Sequence, residues 1–245
     1  ASEAIASGDH NVAISVLSQG VAKLIDEGAR ESNDIDLTNN ATKRFEEYTH
    51  IKTRPNGLIG FATGFKTIDE ATAGLQPGQL ITIIAPPKTG KSVLAMQMAV
   101  NVHRDGFVPM FQSFEMTNLE QQQRHDSMRS RIAHSRLIRG ALTPAEEARY
   151  MDELKAMESM HKFYLTDSVS AMTVTGLAAK IDKIRPDIAF VDGVYLMTDE
   201  VTGESNSPQA LTNITRALKR MAQQFDIPVV ATTQVLSWKL QNRKT

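Results

Sequence analysis

The spacing of apolar positions along the chain changes near residue 57. Before it, apolar residues in 11–27 recur at helical intervals, and Gly28 can end that helix. A second helix is predicted over 38–53, because Pro55-Asn56-Gly57 is a turn sequence. After it, short apolar runs alternate with amphipathic helices, a pattern typical of a parallel sheet with helices on its faces. We therefore predict a helical linker or subunit-docking segment over 1–56 and an α/β domain over 57–245.

Five apolar runs of strand length define the predicted sheet. They are residues 80–85, 108–114, 163–165, 188–192 and 227–233. Helices are predicted between them, over 92–105, 118–133, 144–160, 174–184 and 211–225. Thr143 and Glu146 have the spacing of a capping box around Pro144, which suits a first helical turn.

Composition narrows the class of protein. The 245 residues include no cysteine, which excludes disulfides and cysteine-ligated zinc. The net charge of −1 gives the whole chain no electrostatic signature of nucleic-acid binding, although a local basic site stays open. No apolar run approaches the roughly 18 residues of a membrane span, and the first residues lack the layout of a signal peptide. We expect a soluble, cytoplasmic protein with no membrane partner.

The most informative stretch joins the strand at 80–85 to the helix at 92–105. Strand, tight loop and helix is the context in which Gly-Lys-Ser forms a phosphate-binding loop. Backbone N–H groups and the helix N-terminus would bind phosphate oxygens, Lys91 would reach the β- and γ-phosphates, and Ser92 would hold Mg²⁺. A buried strand and helix joined by a polar turn is the alternative. The candidate nucleotide-binding residues are Ala85, Pro86, Pro87, Lys88, Thr89, Gly90, Lys91, Ser92 and Val93.

Three polar residues follow predicted strands, where ligands bind in open α/β sheets. Asp192 ends the run Ile188–Asp192 and would act on Mg²⁺ together with Ser92. Glu115 could polarise a water molecule, or it could be a solvated loop acid. Gln234 could contact the γ-phosphate, or it could simply cap its strand. The sequence pattern alone does not decide between the two alternatives for Glu115, nor between the two for Gln234.

These features together resemble the RecA-like ATPase domain of DnaB-type replicative helicases. The resemblance rests on TGFKTIDEATAGLQPGQL, APPKTGKS, SFEM, RSRI with GALTPAEEARY, IAFVDGVYLM and PVVATTQV, which occur in the family's order. It implies a RecA-like P-loop NTPase fold with a mostly parallel sheet, and ATP and Mg²⁺ as cofactors. It also implies catalytic roles for Glu115, Lys91 and Gln234, and metal ligation by Ser92 and Asp192. Members often carry Ala at the first loop position, which accounts for Ala85.

The resemblance also implies partners. The helix at 11–27 would dock on a neighbouring subunit of a homo-hexameric ring, although the pattern alone equally allows packing within the chain. Single-stranded DNA would pass through the channel beside the loop 198–208, which holds Asp199, Glu200 and Glu204 and no basic residue. Primase or a helicase loader are further candidate partners, and the setting would be the cytoplasm of a bacterial or phage-infected cell.

Two departures from the family pattern qualify this expectation. After Asp192 the family usually has a bulky residue, then Leu-Gln, whereas this chain has Gly193-Val194-Tyr195. The family's basic finger and second DNA loop lie beyond the sensor strand and are not found before Thr245, so we expect a C-terminally truncated domain. Half of the site would then come from a neighbouring subunit.

The expected function is an ATP-dependent ring helicase motor that translocates on single-stranded DNA and unwinds duplex in replication. One alternative is another RecA-fold ATPase, of the recombinase or clock type. A second is a nucleotide-gated helicase-loading or assembly module that does not unwind.

The basic residues between 124 and 139 do not form one helical stripe, so we expect a subunit-facing or solvated surface there rather than a DNA site.

Overall fold

The computed structural model describes residues 37–53, 57–167 and 173–235. The chain divides into two compact units, residues 1–50 and 51–245. Helix α1 (Ala41–Lys52) is polar and buries none of its side chains. It lies within the helix predicted over 38–53, whereas the helix predicted over 11–27 falls outside the described residues.

A five-stranded, wholly parallel sheet forms the centre of the second unit. Its spatial order is β1-β5-β4-β2-β3. The predicted α/β class is confirmed, and each predicted strand is present within two residues of its expected ends. The strands are β1 (Leu80–Ala85), β2 (Pro109–Ser113), β3 (Tyr164–Asp167), β4 (Ile188–Asp192) and β5 (Val229–Gln234). The helices are α2 (Lys66–Thr72), α3 (Lys91–Arg104), α4 (Asn118–Ser130), α5 (His134–Leu137), α6 (Pro144–Glu158), α7 (Val174–Ile184) and α8 (Pro208–Phe225), with a 3₁₀ turn at Val194–Leu196.

Alternate residues of the central strands supply two cores, one on each face of the sheet. In β4, Ala189 and Val191 pack with the side chains of α7 and α8, whereas Ile188 and Phe190 pack with those of α3. Every residue of β2 and β4 is buried. This explains why β4 is an apolar run up to Asp192 rather than an alternating pattern, since a parallel sheet is covered on both faces.

Local sequence sets the helix ends. The capping box predicted at Thr143 and Glu146 is confirmed, with Thr143 N donating to Glu146 Oε2 at 2.8 Å. A second capping box opens α4, where Thr117 N donates to Glu120 Oε2 at 2.8 Å. Each such box satisfies backbone donors that the first helical turn leaves free.

The carboxyl ends of the strands meet at one edge of the sheet. The register places Asp192 opposite Ser113, and Gln234 opposite Ala85. Residues that are far apart in sequence are therefore neighbours here. In the part of the chain that the structure describes, no helix is both long enough and apolar enough to cross a membrane.

Candidate functional site

The loop between β1 and α3 folds back on itself. Thr89 Oγ1 and Lys91 Nζ both donate to the carbonyl oxygen of Pro86, at 2.6 and 3.2 Å. Gly90 caps α3 with a φ of 94°, a left-handed conformation that suits glycine. Lys88 also has a positive φ, of 60°. The loop thus leads directly into the N-terminus of a 14-residue helix, where backbone N–H groups and the helix dipole favour anions.

A pocket of about 320 Å³ opens beside this loop. Seven of the residues predicted from sequence line it, and Arg124 of α4 joins them. The lining residues are Lys88, Gly90, Lys91, Ser92, Val93, Glu115, Arg124 and Gln234. The remaining predicted loop residues, Ala85, Pro86, Pro87 and Thr89, belong to the strand end and the loop backbone next to the pocket. The fold therefore gathers residues from separate strands and helices around one cavity.

Asp192 lies next to the pocket lining and is only 1% exposed. Its Oδ1 accepts hydrogen bonds from Ser92 Oγ at 2.9 Å and Thr232 Oγ1 at 2.7 Å. Its Oδ2 accepts from Ser113 Oγ at 3.4 Å. The carboxylate and the Ser92 hydroxyl are thus adjacent oxygen donors, the ligand type that Mg²⁺ prefers.

Thr232 and Ser113 were not predicted from the sequence. Each is a small hydroxyl residue near the end of a buried strand, and only the pairing of the strands brings its side chain to Asp192. Thr232 Oγ1 also accepts from the N–H of Gly193 at 2.9 Å, and therefore ties β5 to the turn after β4.

Glu115 and Gln234 both line the pocket and are in direct contact with each other. Gln234 Nε2 donates to Glu115 Oε1 at 3.1 Å and also to the hydroxyl of Tyr195. Burial raises the pKa of the Glu115 carboxyl, and the charge of Asp192 raises it further. The hydrogen bond from Gln234 opposes that rise in pKa. Glu115 is thus a carboxylate in a cleft beside a phosphate-type loop, which is a suitable position for a group that accepts a proton from water.

The basic residues of the segment 124–139 do not share one surface, in line with the absence of a single helical stripe in the sequence. Arg124 lines the pocket. Arg129 is buried and pairs with Glu153, with Nε and Oε2 3.2 Å apart. Arg136 pairs with Glu146 at 2.8 Å. The expectation of a solvated or subunit-facing surface is therefore wrong for Arg129, because the packing of α4 buries its side chain.

The chemistry of the pocket follows from this geometry. Lys91 and Arg124 are cations beside a helix N-terminus and suit a polyanionic ligand such as a chain of phosphates. Ser92 and Asp192 suit a hard divalent cation, and Glu115 suits proton acceptance. The residues present therefore fit a magnesium nucleotide.

Comparisons with known proteins identify the family of this chain. The family model described as DnaB-like helicase C terminal domain matches residues 60–245. The replicative DNA helicase DnaB of Treponema pallidum (strain Nichols) is 31% identical over 206 residues, which cover 82% of this chain and 44% of the relative. A probable replicative DNA helicase of Trieres chinensis is 29% identical over 192 residues, which cover 76% of this chain and 42% of the relative. The chain spans less than half the length of these relatives.

Two solved structures share the fold. A DnaB-like replicative helicase, whose structure was described with its interactions with primase, gives a TM-score of 0.73 at 21% identity, covering 99% of this chain and 58% of that one. A second structure, described as an ATPase domain, gives a TM-score of 0.72 at 20% identity, covering 84% and 74%. The resemblance found in the sequence motifs is confirmed by the family match, which extends over more than half of the chain. This chain therefore belongs to the family of the DnaB-like helicase C-terminal domain.

Proposed function

We propose that this domain is the ATP-hydrolysing motor of a ring helicase that translocates on single-stranded DNA and unwinds duplex in replication. The observation that carries the proposal is the convergence of three groups on one pocket. They are the cation Lys91, the oxygen pair Ser92 and Asp192, and the carboxylate–amide pair Glu115 and Gln234.

Each group has one task in the proposed hydrolysis. Glu115 accepts a proton from the attacking water as that water approaches the γ-phosphorus in line with the leaving oxygen. Lys91 and Arg124 stabilise negative charge on the phosphoryl oxygens. Ser92 and Asp192 would hold Mg²⁺, which neutralises charge on the phosphates when bound. Gln234 orients Glu115 through the hydrogen bond that its Nε2 donates to Oε1.

The loop 198–208 is the proposed DNA-facing segment. Two of its acidic residues, Asp199 and Glu200, accept hydrogen bonds from within the protein. Asp199 is 4% exposed and accepts from Thr202 Oγ1 at 2.8 Å and from Asn213 Nδ2 at 2.9 Å. Glu200 accepts from the backbone N–H and the hydroxyl of Thr175, at 3.1 and 2.9 Å. Backbone N–H and hydroxyl groups of the loop would then contact DNA phosphates.

The proposed assembly is a homo-hexameric ring with ATP sites between subunits, in the cytoplasm of a bacterial or phage-infected cell. A basic finger from the neighbouring subunit would complete each site, and such a residue can be worth about 10³–10⁵ in turnover. Primase or a helicase loader is a proposed further partner. One structural neighbour is a DnaB-like replicative helicase described with its interactions with primase, which supports testing primase first.

A nucleotide-gated assembly module that does not unwind DNA is the competing proposal. Its main support is the acidic loop 198–208, in which Glu200 and Glu204 are exposed. A RecA-fold recombinase would share the pocket but form filaments on DNA. The match to a helicase family model favours the ring motor over both.

The deciding experiment is strand displacement on a forked DNA substrate by the full-length natural protein. Displacement is expected with ATP and not with a non-hydrolysable analogue. Lys91→Ala is expected to abolish it. Nucleotide-dependent ring formation without displacement would favour the assembly module, and filaments seen by electron microscopy with ATP would favour a recombinase.

A further inference from the structure

Tyr195, the middle residue of the 3₁₀ turn after β4, is connected to the Glu115 carboxylate through one side chain. It is half-buried. Its hydroxyl accepts a hydrogen bond from Gln234 Nε2, and the same nitrogen donates to Glu115 Oε1 at 3.1 Å. Tyr195, Gln234 and Glu115 therefore form a continuous chain from the turn to the pocket.

The orientation of the Gln234 amide follows from the chemistry of its partners. An ionised carboxylate only accepts hydrogen bonds, so the amide atom facing Glu115 must be the nitrogen and not the oxygen. That nitrogen carries two hydrogens, and each has its own acceptor: Glu115 for one and Tyr195 for the other. Two acceptors fix the plane of the amide, whereas one would leave it free to rotate about its terminal torsion.

The same turn also provides space for Glu115. Gly193 has a φ of 91°, and a Cβ at this position would lie 3.2 Å from Cγ of Glu115. The N–H of Gly193 donates to Thr232 Oγ1 at 2.9 Å, and its carbonyl accepts from Leu196 N at 2.8 Å. These bonds fix the turn against β5, so Tyr195 is held at a defined distance from Gln234.

We propose that Tyr195 is a positioning residue for ATP hydrolysis, whose hydroxyl fixes the Gln234 amide and thereby holds the Glu115 carboxylate towards the attacking water. The proposal rests on the proposed ATPase function. It assigns a role to the position where the sequence departs from the family's usual glutamine.

The test is steady-state ATP hydrolysis by the full-length protein carrying Tyr195→Phe, with nucleotide binding measured in parallel. Loss of one hydrogen bond is expected to lower kcat about two- to tenfold. KM for ATP and nucleotide affinity should stay at the wild-type value, because Tyr195 acts through Gln234 and not on the nucleotide. Tyr164→Phe, a tyrosine of β3, is the matched control and should leave kcat unchanged.

A double-mutant cycle with Gln234→Ala separates positioning from a purely structural effect. If Tyr195 acts through the Gln234 amide, Tyr195→Phe has no further effect on kcat once that amide is absent. Additive losses, an unchanged kcat in Tyr195→Phe, or a raised KM with unchanged kcat would each overturn the proposal. A wild-type protein without ATP turnover would overturn the proposed function, and this inference with it. A wild-type protein that turns over ATP beside an equally active Tyr195→Phe variant would overturn the Tyr195 proposal alone.

Discussion

Thr232→Val tests whether the polar network around Asp192 holds the site together. Thr232 is 1% exposed and sits between two buried groups. Its hydroxyl donates to Asp192 Oδ1 at 2.7 Å and accepts from Gly193 N at 2.9 Å. Valine has nearly the same shape, so the change removes both hydrogen bonds without opening a cavity.

The expected loss of stability in Thr232→Val comes from the Asp192 carboxylate and the Gly193 N–H, each of which loses a hydrogen-bond partner. A hydrogen bond to a charged group contributes about 1.5–3 kcal/mol, and a buried N–H without a partner costs about 1–3 kcal/mol. The higher strand propensity of valine offsets only a fraction of this. We expect the free energy of unfolding to fall by about 3–5 kcal/mol.

Urea denaturation of the full-length protein, followed by far-ultraviolet circular dichroism, measures this loss. Thr233→Val is the matched control, since adjacent strand residues point to opposite faces of the sheet. The control should change the free energy of unfolding by less than about 0.5 kcal/mol. A loss below about 1 kcal/mol for Thr232→Val would refute the argument that this network stabilises the strand ends.

Three further predictions concern the pocket and its surroundings. Arg124→Ala removes a cation from the pocket lining and is expected to weaken ATP binding about tenfold or more, measured by titration calorimetry, whereas Arg139→Ala, at an exposed position, should bind normally. Tyr150→Phe removes the hydrogen bond that Tyr150 donates to Asp126 at 2.8 Å; chemical denaturation should show a loss of about 1–3 kcal/mol, and wild-type stability would contradict the role given to this bond. Because burial, and then the charge of Asp192, raises the pKa of Glu115, ATP turnover should fall on acidification at a pH above the ordinary glutamate range. If kcat, measured against pH, falls only at a pH below the ordinary glutamate range, Glu115 is not the proton acceptor.

Sequence patterning predicted the sheet well because a covered parallel strand needs a continuous apolar run. Ile188–Asp192 is an example, with every residue buried and an acid at the end. The phosphate-type loop was equally visible, since its residues are contiguous. The pairing of Ser92 with Asp192 could be expected from strand ends that meet at one edge, and the structure places their side-chain oxygens 2.9 Å apart.

Features that depend on register or on helix rotation were not predicted. Ser113 reaches Asp192 because β2 and β4 pair in one particular register, which no local pattern reveals. Arg124 faces the pocket because of how α4 packs, and its neighbours in sequence gave no sign of it. The helices α2 and α5 were missed because seven and four residues are too few for a helical period to be visible.

The central claim is that Glu115 drives ATP hydrolysis in a pocket that binds a magnesium nucleotide. Glu115→Gln keeps the size of the side chain and an acceptor for Gln234, but it removes the proton acceptor. ATP binding and DNA-stimulated turnover of the full-length protein should be measured side by side. We expect the ATP affinity of Glu115→Gln to stay within about threefold of wild type, while its turnover falls about 10²–10⁴-fold. Turnover within a few-fold of wild type would contradict it.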